Sequence, residues 1–167
     1  TGGPWPLAYN RLGEIGVFIA MGLVMVGGAF YVHTGTLTWP AAILATNVGL
    51  YAAAILHANN MRDIDVDAMH SKHTLANTFG WHVGVREYAV LVALPFLLTV
   101  ALVIMQPAYW PLLATLLVVP MALEAIHHMR ARSKGELTSA IVGMSTQLHQ
   151  RYGVVATIAL VIIGFMQ

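Results

Sequence analysis

Hydrophobic residues gather into five long runs, and the polar stretches between them are of two kinds. A helix needs about 20 mostly apolar residues to cross the hydrocarbon of a bilayer. Gly13–Val32, Trp39–Ala58, Tyr88–Gln106 and Trp110–Ile126 match or approach that length. The fifth run, Tyr152–Met166, is short, which places the start of its span within Gln147–Arg151. His33–Thr38 and Pro107–Tyr109 are short, uncharged links, whereas Asn59–Glu87 and His127–Arg151 are long and polar. The pattern predicts an all-α, polytopic transmembrane helical bundle of five spans, forming a single membrane domain over residues 1–167. Trp39, Tyr109 and Trp110 stand at run ends, where interfacial aromatic belts are expected.

Composition excludes the soluble alternative. Only 9% of the 167 residues are charged and 58% are apolar, against about 25% charged in an average soluble domain. The charges are also segregated. All eight Lys and Arg (Arg11, Arg62, Lys72, Arg86, Arg130, Arg132, Lys134 and Arg151) fall at one rim of the predicted topology, and all seven acids share it. The positive-inside rule makes that rim cytoplasmic and puts Gln167 outside. A net charge of +1 gives no basic field for nucleic acid, and the absence of cysteine excludes disulfides and thiolate metal sites. The opening segment is polar and Gly/Pro-rich, without the basic region of a signal peptide. The expectation is that the chain begins inside a longer protein.

Within the first run, Gly13, Gly16, Ala20 and Gly27 share one face at helical spacing, which predicts close helix packing in lipid. Pro95 and Pro120 fall inside the third and fourth runs and predict kinks.

Chemistry concentrates where the second run ends. Residues 57–67 read His-Ala-Asn-Asn-Met-Arg-Asp-Ile-Asp-Val-Asp, followed by Lys72-His-Thr-Leu-Ala. If the helix continues past the membrane, Asn59, Asp63 and Asp67 stack at i, i+4 and i+8, with Asn60 beside them and Asp65 pointing elsewhere. Carboxylates one turn apart repel each other, and the lipid edge disfavours their charge further. A divalent cation relieves both effects. Carboxylates, an amide oxygen and water suit Mg2+, which keeps positions open for phosphate oxygens, and Arg62 and Lys72 can hold phosphate directly. An acidic loop that is merely solvated has the same spacing. The paired asparagines at the membrane edge tilt the balance, because a solvated face has no use for them.

The same residues resemble the second Asp-rich motif of the UbiA superfamily of prenyltransferases. The form Asn-Asn-x-Arg-Asp-x-x-x-Asp, followed by Lys72 and then Thr74-Leu75-Ala76, is similar to the branch that prenylates 1,4-dihydroxy-2-naphthoate in menaquinone synthesis. Thr1-Gly2-Gly3-Pro4 with Leu12-Gly13-Glu14, and Thr146-Gln147-Leu148-His149, resemble that branch before its fifth and last helices. The resemblance implies helices five to nine of a nine-helix fold. It implies Asp63 and Asp67 as Mg2+ ligands with Asp65 as helper. Asn59 and Asn60 would line the site, Arg62 and Lys72 would hold the diphosphate, and Thr74 would adjoin the substrates. Such enzymes ionise an allylic polyprenyl diphosphate, and an aromatic acceptor attacks the cation; in the naphthoate branch its carboxylate is lost. The family's first motif, Asn-Asp-x-x-Asp-x-x-x-Asp, has no counterpart in this chain. The expectation is a C-terminal half, inactive alone, that needs an N-terminal half bearing the first motif.

Other residues carry weaker signals. His57, His70, His73 and His82 make a His-rich stretch without usual metal-ligand spacing. Glu14 is either a functional rim acid or a partner of Arg11. Glu124, His127, His128, Arg130 and Arg132 suggest a second basic rim facing anionic lipid or diphosphate. Tyr9 and Tyr152 are placed at the cytoplasmic edge, where they could stack on an acceptor. Competing functions are a UbiA-type enzyme for another acceptor (haem, chlorophyllide or a hydroxybenzoate) and a non-catalytic membrane module that binds a partner or lipid. A cation transporter is disfavoured, because the middles of the runs carry no charge.

Overall fold

The computed structural model describes Pro4, residues 6–133 and residues 136–166. Thr1, Gly2, Gly3, Lys134 and Gln167, used above for the resemblance and the charge pattern, lie outside the described residues. Five helices are long and apolar enough to span a membrane: α1 (Gly13–Thr34), α2 (Trp39–Arg62), α5 (Trp81–Met105), α6 (Pro107–Arg130) and α7 (Ala140–Met166). Two short helices, α3 (Ile64–Met69) and α4 (Leu75–Phe79), lie between α2 and α5. The chain is therefore an all-α membrane bundle. Its centre is α2, where 56% of the most apolar stretch is buried, against 6% in α1.

All five spans outrun their hydrophobic runs at one end or both. α5 begins at Trp81 rather than Tyr88, α6 extends to Arg130, and α7 begins at Ala140 instead of near Gln147–Arg151. Hydropathy marks the part of a helix that lies in lipid, not the helix itself. The 27 residues of α7 run about 40 Å, well beyond a hydrocarbon core of about 30 Å. Most of the polar segment His127–Arg151 is thus helix, and Arg151 is exposed within α7 rather than in a loop.

The packing face of α1 also differs from expectation. Residues Phe18–Gly27 form a π-helical stretch, so the 3.6-residue period that grouped Gly13, Gly16, Ala20 and Gly27 does not hold across it. Ala20 is exposed, and a Cβ on Gly27 would meet nothing within 4 Å. The close crossing lies at Gly22 and Gly49 instead: a Cβ on Gly22 would stand 2.6 Å from the Ala45 carbonyl oxygen and 2.7 Å from the Gly49 Cα. Gly22→Ala must therefore push α1 off α2. The expected loss is about 1–3 kcal/mol, the usual cost of overpacking, read as a lowered thermal midpoint in detergent. Gly27→Ala on the same helix should leave the midpoint unchanged.

Pro120 stands in the first turn of the α-helical half of α6, Val119–Arg130, directly after the 3-10 half Pro107–Val118. A first-turn proline sacrifices little helical hydrogen bonding, so it marks this junction and not a kink within a regular helix. Pro95 is buried inside α5, where the Thr99 hydroxyl donates to its carbonyl at 2.8 Å. Thr99 also belongs to a buried polar knot. The Asn47 side-chain amide donates to Thr99 Oγ1 at 3.1 Å and to the Tyr152 hydroxyl at 2.8 Å, and the two hydroxyls are 2.7 Å apart. The knot ties α2, α5 and α7 together by interhelical hydrogen bonds, which substitute in lipid for a hydrophobic driving force. Tyr152 is therefore a core residue packed on Tyr51 and Phe96, not an edge residue open to an acceptor.

Candidate functional site

The Asp-rich segment folds as a helix interrupted at one residue. Asp63 ends α2 with φ −96° and ψ 15°, and α3 follows directly. The interruption does not break the register. Asp63 N donates to the Asn59 carbonyl at 3.0 Å, and Asp67 N donates to the Asp63 carbonyl at 2.8 Å. Asn59, Asp63 and Asp67 thus keep the one-turn spacing that the sequence suggests. α3 ends at Met69, and Ser71 takes a positive φ of 55°. Lys72 then turns back, with its amide on the Asp67 carbonyl at 2.9 Å. Thr74 and Asn77 form a reciprocal capping box that starts α4, and the Asn77 side chain donates to the Lys72 carbonyl at 2.6 Å. Thr74 is buried in this cap, so its hydroxyl fixes the loop that carries Lys72.

Each acid of the expected metal pair has a cation. Arg62 grips Asp63 with two bonds, Nε to Oδ1 at 2.7 Å and Nη2 to Oδ2 at 2.6 Å, while Asn59 completes a triangle with both residues. The Arg62 hydrogen bonds hold the Asp63 carboxyl below the usual carboxylate range, and the charge of Lys72 adds to the effect. Asp67 is buried and receives Lys72 Nζ at 2.7 Å; the same ammonium donates to Asn60 Oδ1 at 3.1 Å. Asp65 is exposed, on the far side of α3 from this pair. Among the described residues no three His, Asp or Glu side chains converge as a metal cluster. Two carboxylates and an amide nevertheless suit Mg2+, which commonly takes one or two carboxylates and fills its octahedron with phosphate oxygens and water.

A second layer lies beneath. Asn60 is buried and donates to Glu14 Oε1 at 2.9 Å. His57 is fully buried: its Nε2 bonds the Gly84 carbonyl at 2.9 Å, while Nδ1 faces Glu14 Oε1 at 3.3 Å and Glu87 Oε2 at 3.8 Å. A carbonyl can only accept, so Nε2 carries a hydrogen. The Nδ1 contact with Glu14 then also requires a proton, shared between imidazole and carboxyl. The network connects α1, α2 and α5 through Asn60 to Lys72 and Asp67. Glu14 does not pair with Arg11, whose Nε bonds Thr78 Oγ1 at 3.0 Å.

The segment before α1 adjoins the same loop. Arg11 N donates to the His73 carbonyl at 2.9 Å, and His73 N donates to the Tyr9 carbonyl at 3.3 Å. This strap ties the backbone at Tyr9, whose side chain is exposed, to the loop that carries Lys72. The His-rich stretch does not gather into one site, since His57 is in the core while His70 bonds the Val66 carbonyl of its own helix.

A family model described as the UbiA prenyltransferase family matches residues 4–145. The chain belongs to this family. It is 32% identical over 146 residues to the 1,4-dihydroxy-2-naphthoate octaprenyltransferase of Haemophilus influenzae, a match covering 87% of the chain and 47% of that relative. The corresponding enzyme of Mycobacterium leprae is 35% identical over 136 residues, 81% of the chain and 45% of the relative. The UbiA prenyltransferase domain-containing protein 1 of Gallus gallus is 31% identical over 125 residues, 75% and 37% respectively. The chain spans about half the length of the bacterial relatives. No solved structure matches it.

In this UbiA-family chain sequence reasoning missed how the second layer is joined: His57 meets Glu14 and Glu87, and Glu14 meets Asn60. Asn60 was expected to line the diphosphate site; in the structure it joins Lys72 to Glu14. His57, three positions before Asn60, shares its helix face. That spacing, together with a rim acid at Glu14, was the available signal.

Proposed function

We propose that this chain supplies one half of a prenyltransferase site that transfers a polyprenyl group from its allylic diphosphate to an aromatic acceptor, with 1,4-dihydroxy-2-naphthoate as the acceptor, in menaquinone biosynthesis. One observation supports it above the others: Asp63, Asp67, Arg62 and Lys72 meet at the end of a membrane helix, in a family of prenyltransferases. Asp63 and Asp67, with Asn59, would hold Mg2+. The ion supplies Lewis acidity to the diphosphate leaving group. Arg62 and Lys72, now clasped to the two acids, turn to phosphate oxygens when the acids are engaged, so charge is exchanged and not added. His57, Glu14 and Asn60 act as positioning residues by fixing Lys72 and Asp67. Tyr9 borders the acceptor, and Asp65 assists from the solvent side. The rim carrying these groups is read as cytoplasmic, in keeping with the Lys and Arg placement. The described residues gather only one Asp pair, so the 167 residues alone are expected to be inactive until joined to the remainder of a complete enzyme carrying a first Asp-rich motif.

The test is a prenyl-transfer assay on the full-length protein in membranes. Product should form from a polyprenyl diphosphate and 1,4-dihydroxy-2-naphthoate, vanish with a chelator, and return with Mg2+. Equal or better turnover of 4-hydroxybenzoate would reassign the acceptor. Chelator-resistant turnover would remove Mg2+ from the reading.

A further inference from the structure

α5 descends from the rim at Arg86 and Glu87, and a groove of about 380 Å3 runs along it, with Arg130 at the end of α6 on its edge. Ala89 and Ala93, one turn apart on α5, line it with small side chains that leave space larger ones would fill. Val90, Leu94 and Leu97 wall it on the same helix; Val90 and Leu97 are 58% and 65% exposed. Arg86 and Arg130 stand at its mouth. α5 runs away from the Asp-rich rim and α6 returns to it, so both guanidiniums sit at that one rim. Both are exposed, and neither makes an ion pair or hydrogen bond among the described residues. From Arg86 to Leu97 the helix descends about 16 Å, roughly the depth of one leaflet's hydrocarbon.

We propose that this groove binds one anionic phospholipid, with an acyl chain laid along Ala89, Ala93 and Leu97 and the phosphate held by Arg86 and Arg130. Basic pockets between transmembrane helices suit such head groups. The charge pattern favours a lipid over the allylic diphosphate. No carboxylate lines the groove, so nothing there would hold the metal that a diphosphate brings, whereas a singly charged phosphodiester needs only the two guanidiniums. A covering protein helix would bury both arginines and would need acids to meet them.

Native mass spectrometry of the full-length protein tests this, after delipidation and titration with phosphatidylglycerol or phosphatidylcholine. The wild type should retain the anionic lipid preferentially. Arg86→Ala with Arg130→Ala should weaken that retention by about thirtyfold, roughly fivefold for each basic side chain. Arg132→Ala, at the same rim but outside the groove, should leave it unchanged. Arg86→Lys with Arg130→Lys keeps the charge and should restore most of the retention, which guards against a misfolded alanine variant. Equal retention of the zwitterionic lipid would overturn the proposal, as would full retention by the alanine pair. Displacement of the bound lipid by farnesyl diphosphate would instead give the groove to the isoprenoid donor and would overturn it too.

Discussion

Replacing Asp63 and Asp67 together by alanine in the full-length protein should lower kcat/KM for prenyl transfer by at least about a thousandfold, on the order of 4 kcal/mol of transition-state stabilisation. The size follows from what the two acids would hold. Ionising an allylic diphosphate needs charge drawn off the leaving group, and without the two acids this half of the site keeps only Arg62 and Lys72 to do it. Folding should suffer much less. The Arg62–Asp63 clasp is partly exposed, and such pairs add little to stability. Because the folded pKa of Asp63 lies below its ordinary value, the clasp contributes above the ordinary carboxylate range and fades as pH falls through the depressed value. Its loss is therefore felt in full near neutrality, but as a partly exposed pair it lowers the alanine variant's thermal midpoint only slightly, while activity is gone. Arg62→Gln should raise KM for the diphosphate more than it lowers kcat, since the guanidinium binds the phosphate in ground and transition states alike. A double variant that still turns over at the wild-type rate with unchanged Mg2+ dependence would sink the metal reading.

The five spans were legible because the bilayer imposes a length that apolar runs reveal without any knowledge of packing. Helix ends were not legible in the same way. Trp81–Glu87 and Ala140–Arg151 are helical although polar, and nothing in a hydropathy pattern separates a helix leaving the membrane from a loop. The π-helical stretch of α1 was hidden for a related reason: the period used to read a face was itself changed, which moved the crossing to Gly22 and Gly49. At the site, local spacing was enough to align Asn59, Asp63 and Asp67, because contacts four residues apart follow from helix geometry. The partners of Asn60 were not, since Glu14 is 46 positions away and Lys72 is 12. Tyr152 was misplaced on the same account. Its bond to Asn47 spans 105 positions, and the sequence around it looks like any helix entrance.

The buried node at His57 separates a structural role from a positioning one. His57→Leu should cost about 3–5 kcal/mol of stability, as expected when one member of a buried ionic group is removed and its partners are left facing each other. Here the partners are Glu14 and Glu87, and Glu14 would keep only its Asn60 bond. Removing the charges as well, in His57→Leu with Glu14→Leu and Glu87→Leu, should recover most of that stability, because apolar groups of similar volume commonly replace a buried ion pair at little cost. Activity should not recover with it. Asn60 loses the acceptor that orients its amide, so Lys72 is released from one of its two fixed partners and Asp67 loses a steady cation. The expected signature in the full-length protein is a nearly normal thermal midpoint, weakened binding of Mn2+ and diphosphate, and a raised KM for the allylic donor. If the triple variant binds Mn2+ and turns over like the wild type, the node only packs the core, and the site at the rim stands without it.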